Sequence, residues 1–130
     1  MEPLRVCLLV GAGGALGALA RFLVGTWTAR ALGTRFPWGT VLVNLTGCLA
    51  IGFVLTMVEE RLVSRESLRP LLVVGFLGAY TTFSTFGWET HGLLRDAEWL
   101  RASVNVLGSV AAGLVAVRLG VLAARHWPAG

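Results

Sequence analysis

The chain has 130 residues, 55% of them hydrophobic and only 14% charged, and its mean hydropathy is +0.74. Soluble domains carry roughly a quarter charged residues, so this composition excludes an ordinary soluble catalytic domain. The formal net charge of +4 comes from arginines scattered along the chain rather than gathered on one face, a pattern that suits lipid headgroups and argues against nucleic acid as a partner.

Four charge-poor stretches follow in order: Val6–Trp27, Trp38–Val58, Pro70–Trp88 and Leu100–Ala124. Each has the roughly 20 residues that an α-helix needs to cross a ~30 Å hydrocarbon core. Trp27, Trp38, Trp88, Trp99 and Trp127 fall at or just beyond the ends of these stretches, where amphipathic rings favour the headgroup level. The whole chain, residues 1–130, therefore reads as one all-α domain of four transmembrane helices.

In the first stretch, Arg5, the apolar run and Ala18-Leu19-Ala20 resemble a cleavable signal peptide. Glycines at 11, 13, 14 and 17 suit a helix packed closely on its neighbours better. They do not make a phosphate loop, because Leu16 interrupts the spacing and no strand precedes it. Arg21 shares a stripe with Gly14, Gly17 and Gly25. It lies roughly 22 Å along the helix from Val6 at ~1.5 Å per residue. That depth is compatible with an interfacial anchor or with a vestibule group that attracts anions.

In the second stretch, Thr40, Asn44 and Gly47 share a face. An asparagine in mid-membrane is costly unless paired, so Asn44 is either an interhelical hydrogen bond or a pore group. Cys7 and Cys48 read as small apolar residues. His91 and His126 lack metal-ligand spacing.

The third stretch holds the least expected segment, GAYTTFSTF at residues 78–86, with five hydroxyl groups and two phenyl rings. On a regular helix Thr81, Ser84 and Thr85 fall on one side, and Thr82, Phe83 and Phe86 on the other. Gly75 and Gly78 mark where the helix can break, which frees backbone carbonyls at membrane depth. Hydroxyl donors and the positive edges of phenyl rings both suit a strongly hydrated anion. With connections placed near 29–37, 59–69 and 89–99, no carboxylate sits in mid-span, which leaves proton-coupled exchange without a carrier. In the fourth stretch Asn105, Ser109 and Gly113 form a second polar or small stripe.

Four spans put both termini on one side. That side holds Arg5, Arg61, Arg65, Arg69, Arg118 and Arg125, and the other holds Arg21, Arg30, Arg35, Arg95 and Arg101. So even a balance leaves insertion undecided, and both orientations are expected to form and pair as an antiparallel dimer.

The motifs GALAR ending at Arg21, WGTVLVNLTG around Asn44 and, most specifically, GAYTTFSTF make the whole chain resemble the CrcB/Fluc fluoride channels. The resemblance implies a dual-topology antiparallel homodimer with a broken third helix, multi-pass in the inner (plasma) membrane. Its function would be passive export of cytoplasmic fluoride, with no enzymatic activity. Phe83 and Phe86 would line the pathways, and Asn44 would be a pore hydrogen-bond donor. Thr40, Ser84, Thr85 and Ser109 would belong to a polar track, with Arg21 in the vestibule. The backbone carbonyls of Gly78 and Thr81 would hold a structural sodium ion. Asn105 and Gly113 depart from the family pattern, where tyrosine and serine are expected. A small multidrug-type exporter is disfavoured, since the first stretch lacks a carboxylate, and a non-transporting membrane assembly subunit would leave the hydroxyl cluster unexplained.

Overall fold

The computed structural model describes residues 2–60 and 65–127. Its four long apolar helices are Pro3–Leu32, Trp38–Glu59, Glu66–Arg95 and Trp99–Arg125, here called the first to fourth spans. The chain is an all-helical, multi-pass membrane protein. Arg61 lies outside the described residues, as does the side chain of Arg65.

The helices outrun the apolar stretches. The turn between the third and fourth spans is confined to Asp96–Glu98 rather than 89–99, with Ala97 in the left-handed region at φ 58°. Segments that leave the hydrocarbon can stay helical in the headgroup layer, because their backbone bonds are internal. Glu89 therefore belongs to the third helix, near its end and one residue beyond the expected Pro70–Trp88 stretch.

Glycines set the packing. A side chain at Gly13 or Gly17 would collide with the backbone of Leu71 or Phe76, so the first and third spans approach backbone to backbone. Gly52 and Gly120 do the same for the second and fourth spans, against Val117 and Leu49. This is the small-residue packing that operates where lipid removes the hydrophobic drive between helices. Within one chain the core is thin: Val43, Val58, Leu77, Ala102 and Ala124 are its buried apolar residues among those described. Leu16, Leu19 and Phe22 on the first span, and Leu107 and Leu114 on the fourth, face outward. Lipid or a second chain has to cover them.

The helical hydroxyls largely bond their own helix. Thr28 donates to the Val24 carbonyl at 2.8 Å, Thr46 to Leu42 at 2.7 Å and Thr56 to Gly52 at 2.8 Å. These back-bonds satisfy a threonine in hydrocarbon without any neighbouring helix.

Candidate functional site

The third span changes character along its length. Wide π turns run over Arg69–Leu77, ordinary helix covers Gly78–Tyr80, and then two residues are extended. Thr81 has φ −83° and ψ 159°, and Thr82 has φ −153° and ψ 122°. Helix resumes over Phe83–Arg95. Gly75 and Gly78 themselves stay helical; Gly75 serves the close approach to the Val10 carbonyl, 2.7 Å from where its side chain would begin.

Extended backbone at membrane depth needs replacement partners, and Asn44 supplies them. Its Nδ2 donates to the Thr82 carbonyl at 3.0 Å, and its Oδ1 accepts from the Thr82 N–H at 2.8 Å. In a continuous helix that N–H would serve the Gly78 carbonyl, so engaging Asn44 releases Gly78. Upstream, the Leu77 carbonyl accepts both the Thr81 N–H at 3.0 Å and the Thr81 hydroxyl at 2.9 Å. Downstream, Thr82 caps the new helix, accepting from the Thr85 N–H at 3.3 Å and donating its own proton to the Thr85 hydroxyl oxygen at 3.0 Å. The side chain at Thr81 is tightly met by Gly47, where any Cβ would strike its methyl.

The wheel grouped Thr82 with Phe83 and Phe86; the two rings do pair, while the Thr82 hydroxyl turns to Thr85 as the cap of the new helix. Phe83 and Phe86 lie one turn apart in the new helix, with ring centroids 5.7 Å apart and planes tilted by 33°. Phe83 is 84% exposed within the single chain, and Phe86 is half-buried.

Two cavities meet at Thr82. One, of about 430 Å³, is lined by Arg21, Thr28, Thr40, Thr82, Thr85 and Glu89 among others. The other, of about 300 Å³, is lined by Asn44, Gly47, Cys48, Gly78, Thr81, Thr82 and Phe83 among others. The expected residues thus separate into two groups, Arg21, Thr40 and Thr85 in the first and Asn44, Gly78, Thr81 and Phe83 in the second. Ser84, Phe86 and Ser109 line neither. Ser84 is exposed and contacts the Thr82 hydroxyl at 3.5 Å, while the Ser109 hydroxyl oxygen is buried with no partner among the described residues.

Two residues of this site were not expected from sequence. Thr82 lies between both cavities and is 9% exposed. Its position after Tyr80-Thr81 and before an apolar ring is an N-cap signal that a continuous-helix reading hides. Glu89 faces the Thr40 hydroxyl and holds one carboxylate oxygen buried without a partner among the described residues. The cavity it shares with Arg21 therefore carries one charge of each sign.

The chain is similar in sequence to other proteins over nearly its whole length. A protein of Solibacter usitatus named "Fluoride-specific ion channel FluC" is 50% identical over 119 residues, which is 92% of this chain and 98% of that one. Its namesake in Chlorobium phaeobacteroides is 47% identical over 127 residues, 97% and 98% of the two chains. That of Chloroflexus aurantiacus is 47% identical over 114 residues, 88% and 90%. Residues 8–121 match the family described as "CrcB-like protein, Camphor Resistance (CrcB)", and this chain belongs to that CrcB family.

Proposed function

We propose that the protein is a fluoride-selective ion channel, not an enzyme, that lets fluoride leave the cytoplasm passively across the inner membrane. The observation that carries this reading is the interrupted third span, held by Asn44 and followed directly by the Phe83–Phe86 ring pair. The identity of the ion follows the relatives, which carry fluoride in their names.

Fluoride holds its water tightly, so a dry passage must replace hydration with donors. The helix that restarts at Phe83 turns the N–H groups of its first turn, of which Thr82 caps that of Thr85, and the positive end of its dipole toward the break. The hydroxyls of Ser84 and Thr85 stand in the same turn, and the Asn44 amide carries a second N–H beside the one that serves Thr82. The phenyl edges of Phe83 and Phe86 add a weaker positive lining that no chemistry has to strip away. Arg21 at the wider cavity raises the local anion concentration, with Thr40 beside it. Ser109 continues the track on the fourth span.

The single chain leaves Phe83 uncovered, which supports a second copy as the missing wall. With arginines nearly balanced across the membrane, that copy is inserted in the opposite sense, and the channel is an antiparallel dual-topology homodimer. The Gly78 carbonyl released by Asn44, together with that of Thr81, offers hard oxygen donors of the kind that a sodium ion accepts. Two such pairs across a twofold axis would hold it as a structural cation joining the subunits.

One observation favours a second reading, proton-coupled fluoride transport: the carboxylate oxygen of Glu89 that is buried in the wider cavity without a partner among the described residues. An imposed pH gradient across proteoliposomes separates the two. Beyond what protein-free vesicles take up as hydrogen fluoride, a channel drives no fluoride against its own gradient when only protons are out of balance, and a coupled carrier does.

A further inference from the structure

The helix after the break starts afresh, so nothing upstream fixes how its first turn is rotated. Lateral bonds have to do it. Asn44 of the second span pins Thr82 at the start. A second asparagine, Asn105 of the fourth span, reaches the same helix one turn beyond Phe86. Asn105 is 0% exposed, and its Nδ2 donates to the Thr90 hydroxyl oxygen at 2.9 Å. Thr90 in turn donates to the Phe86 carbonyl at 2.8 Å.

The direction of this relay is dictated by its end. A carbonyl can only accept, so the single hydroxyl proton of Thr90 goes to Phe86, and the group on the Thr90 oxygen must be a donor. That orients the Asn105 amide and leaves its Oδ1 buried without a partner among the described residues. Asn105 spends one amide N–H on Thr90 and, fully buried, lines neither of the two cavities that meet at Thr82. It is therefore placed to act on the helix rather than on fluoride. A threonine back-bonded to its own helix can otherwise swing between rotamers and bend that helix; an external donor on its oxygen removes the freedom.

We propose that Asn105 is a positioning residue, acting through Thr90 to hold the helical turn that carries the Phe86 ring against Phe83. The inference rests on the fluoride-channel reading for its effect on flux, but not for its effect on the ring. The test uses the full chain purified into liposomes, with Asn105→Leu, Thr90→Val and the double variant. Fluoride efflux is measured beside the fluorine resonance of a fluorophenylalanine incorporated at position 86.

Each single variant should reduce efflux several-fold and shift the resonance, and the double variant should do no more than either. Thr90→Ser, which keeps the hydroxyl, should restore both readouts. Additive losses would overturn the proposal, since Asn105 would then act on the ion independently of Thr90. A resonance unmoved by Asn105→Leu would overturn it as well. If Asn105→Leu does not fold, Asn105→Asp, which keeps the shape and removes the donor to Thr90, carries the same expectations. Should the unmodified protein fail to pass fluoride, the function is wrong while the resonance still decides the positioning.

Discussion

Asn44 and Thr82, 38 positions apart, exchange two hydrogen bonds, of 3.0 and 2.8 Å. The side-chain amide of one span thereby stands in for a peptide neighbour of another. An amide is the side chain that offers a donor and an acceptor at the spacing of a peptide group. The extended residues in the third span depend on it, because hydrocarbon supplies no alternative partner.

Asn44→Asp keeps an acceptor for the Thr82 N–H and loses the donor for its carbonyl. It also sets a negative charge beside the proposed anion path. Efflux should be abolished, and stability should fall by about 1–3 kcal/mol for one buried group left unpaired. Asn44→Leu, which breaks both bonds, should lower the melting temperature further. A variant with unchanged melting and unchanged efflux would remove Asn44 from the site.

Replacing Phe83 or Phe86 with isoleucine keeps apolar bulk and deletes the ring quadrupole. Because Phe83 is 84% exposed in the chain, its loss should leave the fold of the chain intact while fluoride flux falls strongly. Phe86 is half-buried, so its replacement should also lower the melting temperature, by roughly 1–3 kcal/mol of stability. Methionine should be better tolerated than isoleucine at both positions, since its thioether is flexible and polarizable. Efflux and thermal melts on the same preparations separate the two effects.

The close helix contacts make a sharper stability prediction. Gly17→Ala and Gly120→Ala each drive a methyl into facing backbone, that of Phe76 and Leu49 respectively. Backbone cannot rotate away, so overpacking of about 1–3 kcal/mol or more is expected. Gly11→Ala meets nothing within 4 Å and should melt like the unmodified protein. Equal melting for all three would mean the helices do not pack as described.

The spans were legible because apolar runs and flanking tryptophans are local signals. Their ends were not, since Glu89–Arg95 stays helical on internal backbone bonds after hydropathy has lapsed. The site was legible as a motif but not as geometry. Glycine is the obvious place for a helix to give way, yet Gly75 and Gly78 remain helical, and the extended residues are two threonines. Their cause lies in Asn44, on another span, and a helical wheel drawn through the segment cannot register it. Glu89 was hidden for the related reason that its setting, beside Thr40 and in a cavity shared with Arg21, is made by two other helices. Asn105, which departs from the family pattern, looked like a gap in a polar track; its bond to Thr90 gives it a different task.

Orientation is open to direct test. If the near balance of arginines leaves insertion undecided, reporters fused to the C-terminus should label both sides of the membrane. Adding a few arginines to one terminus should bias the population and lower activity, and co-expression with an oppositely biased copy should restore it. A single orientation in the unmodified protein contradicts the antiparallel dimer.

The central claim is conduction itself, and the most direct measurement is anion efflux from proteoliposomes holding the purified, unmodified protein. Vesicles loaded with fluoride and made permeable to their counter-cation should empty rapidly and completely, while matched vesicles loaded with chloride retain their contents. Fluoride retained as well as in protein-free vesicles, or chloride released as fast as fluoride, would contradict the account.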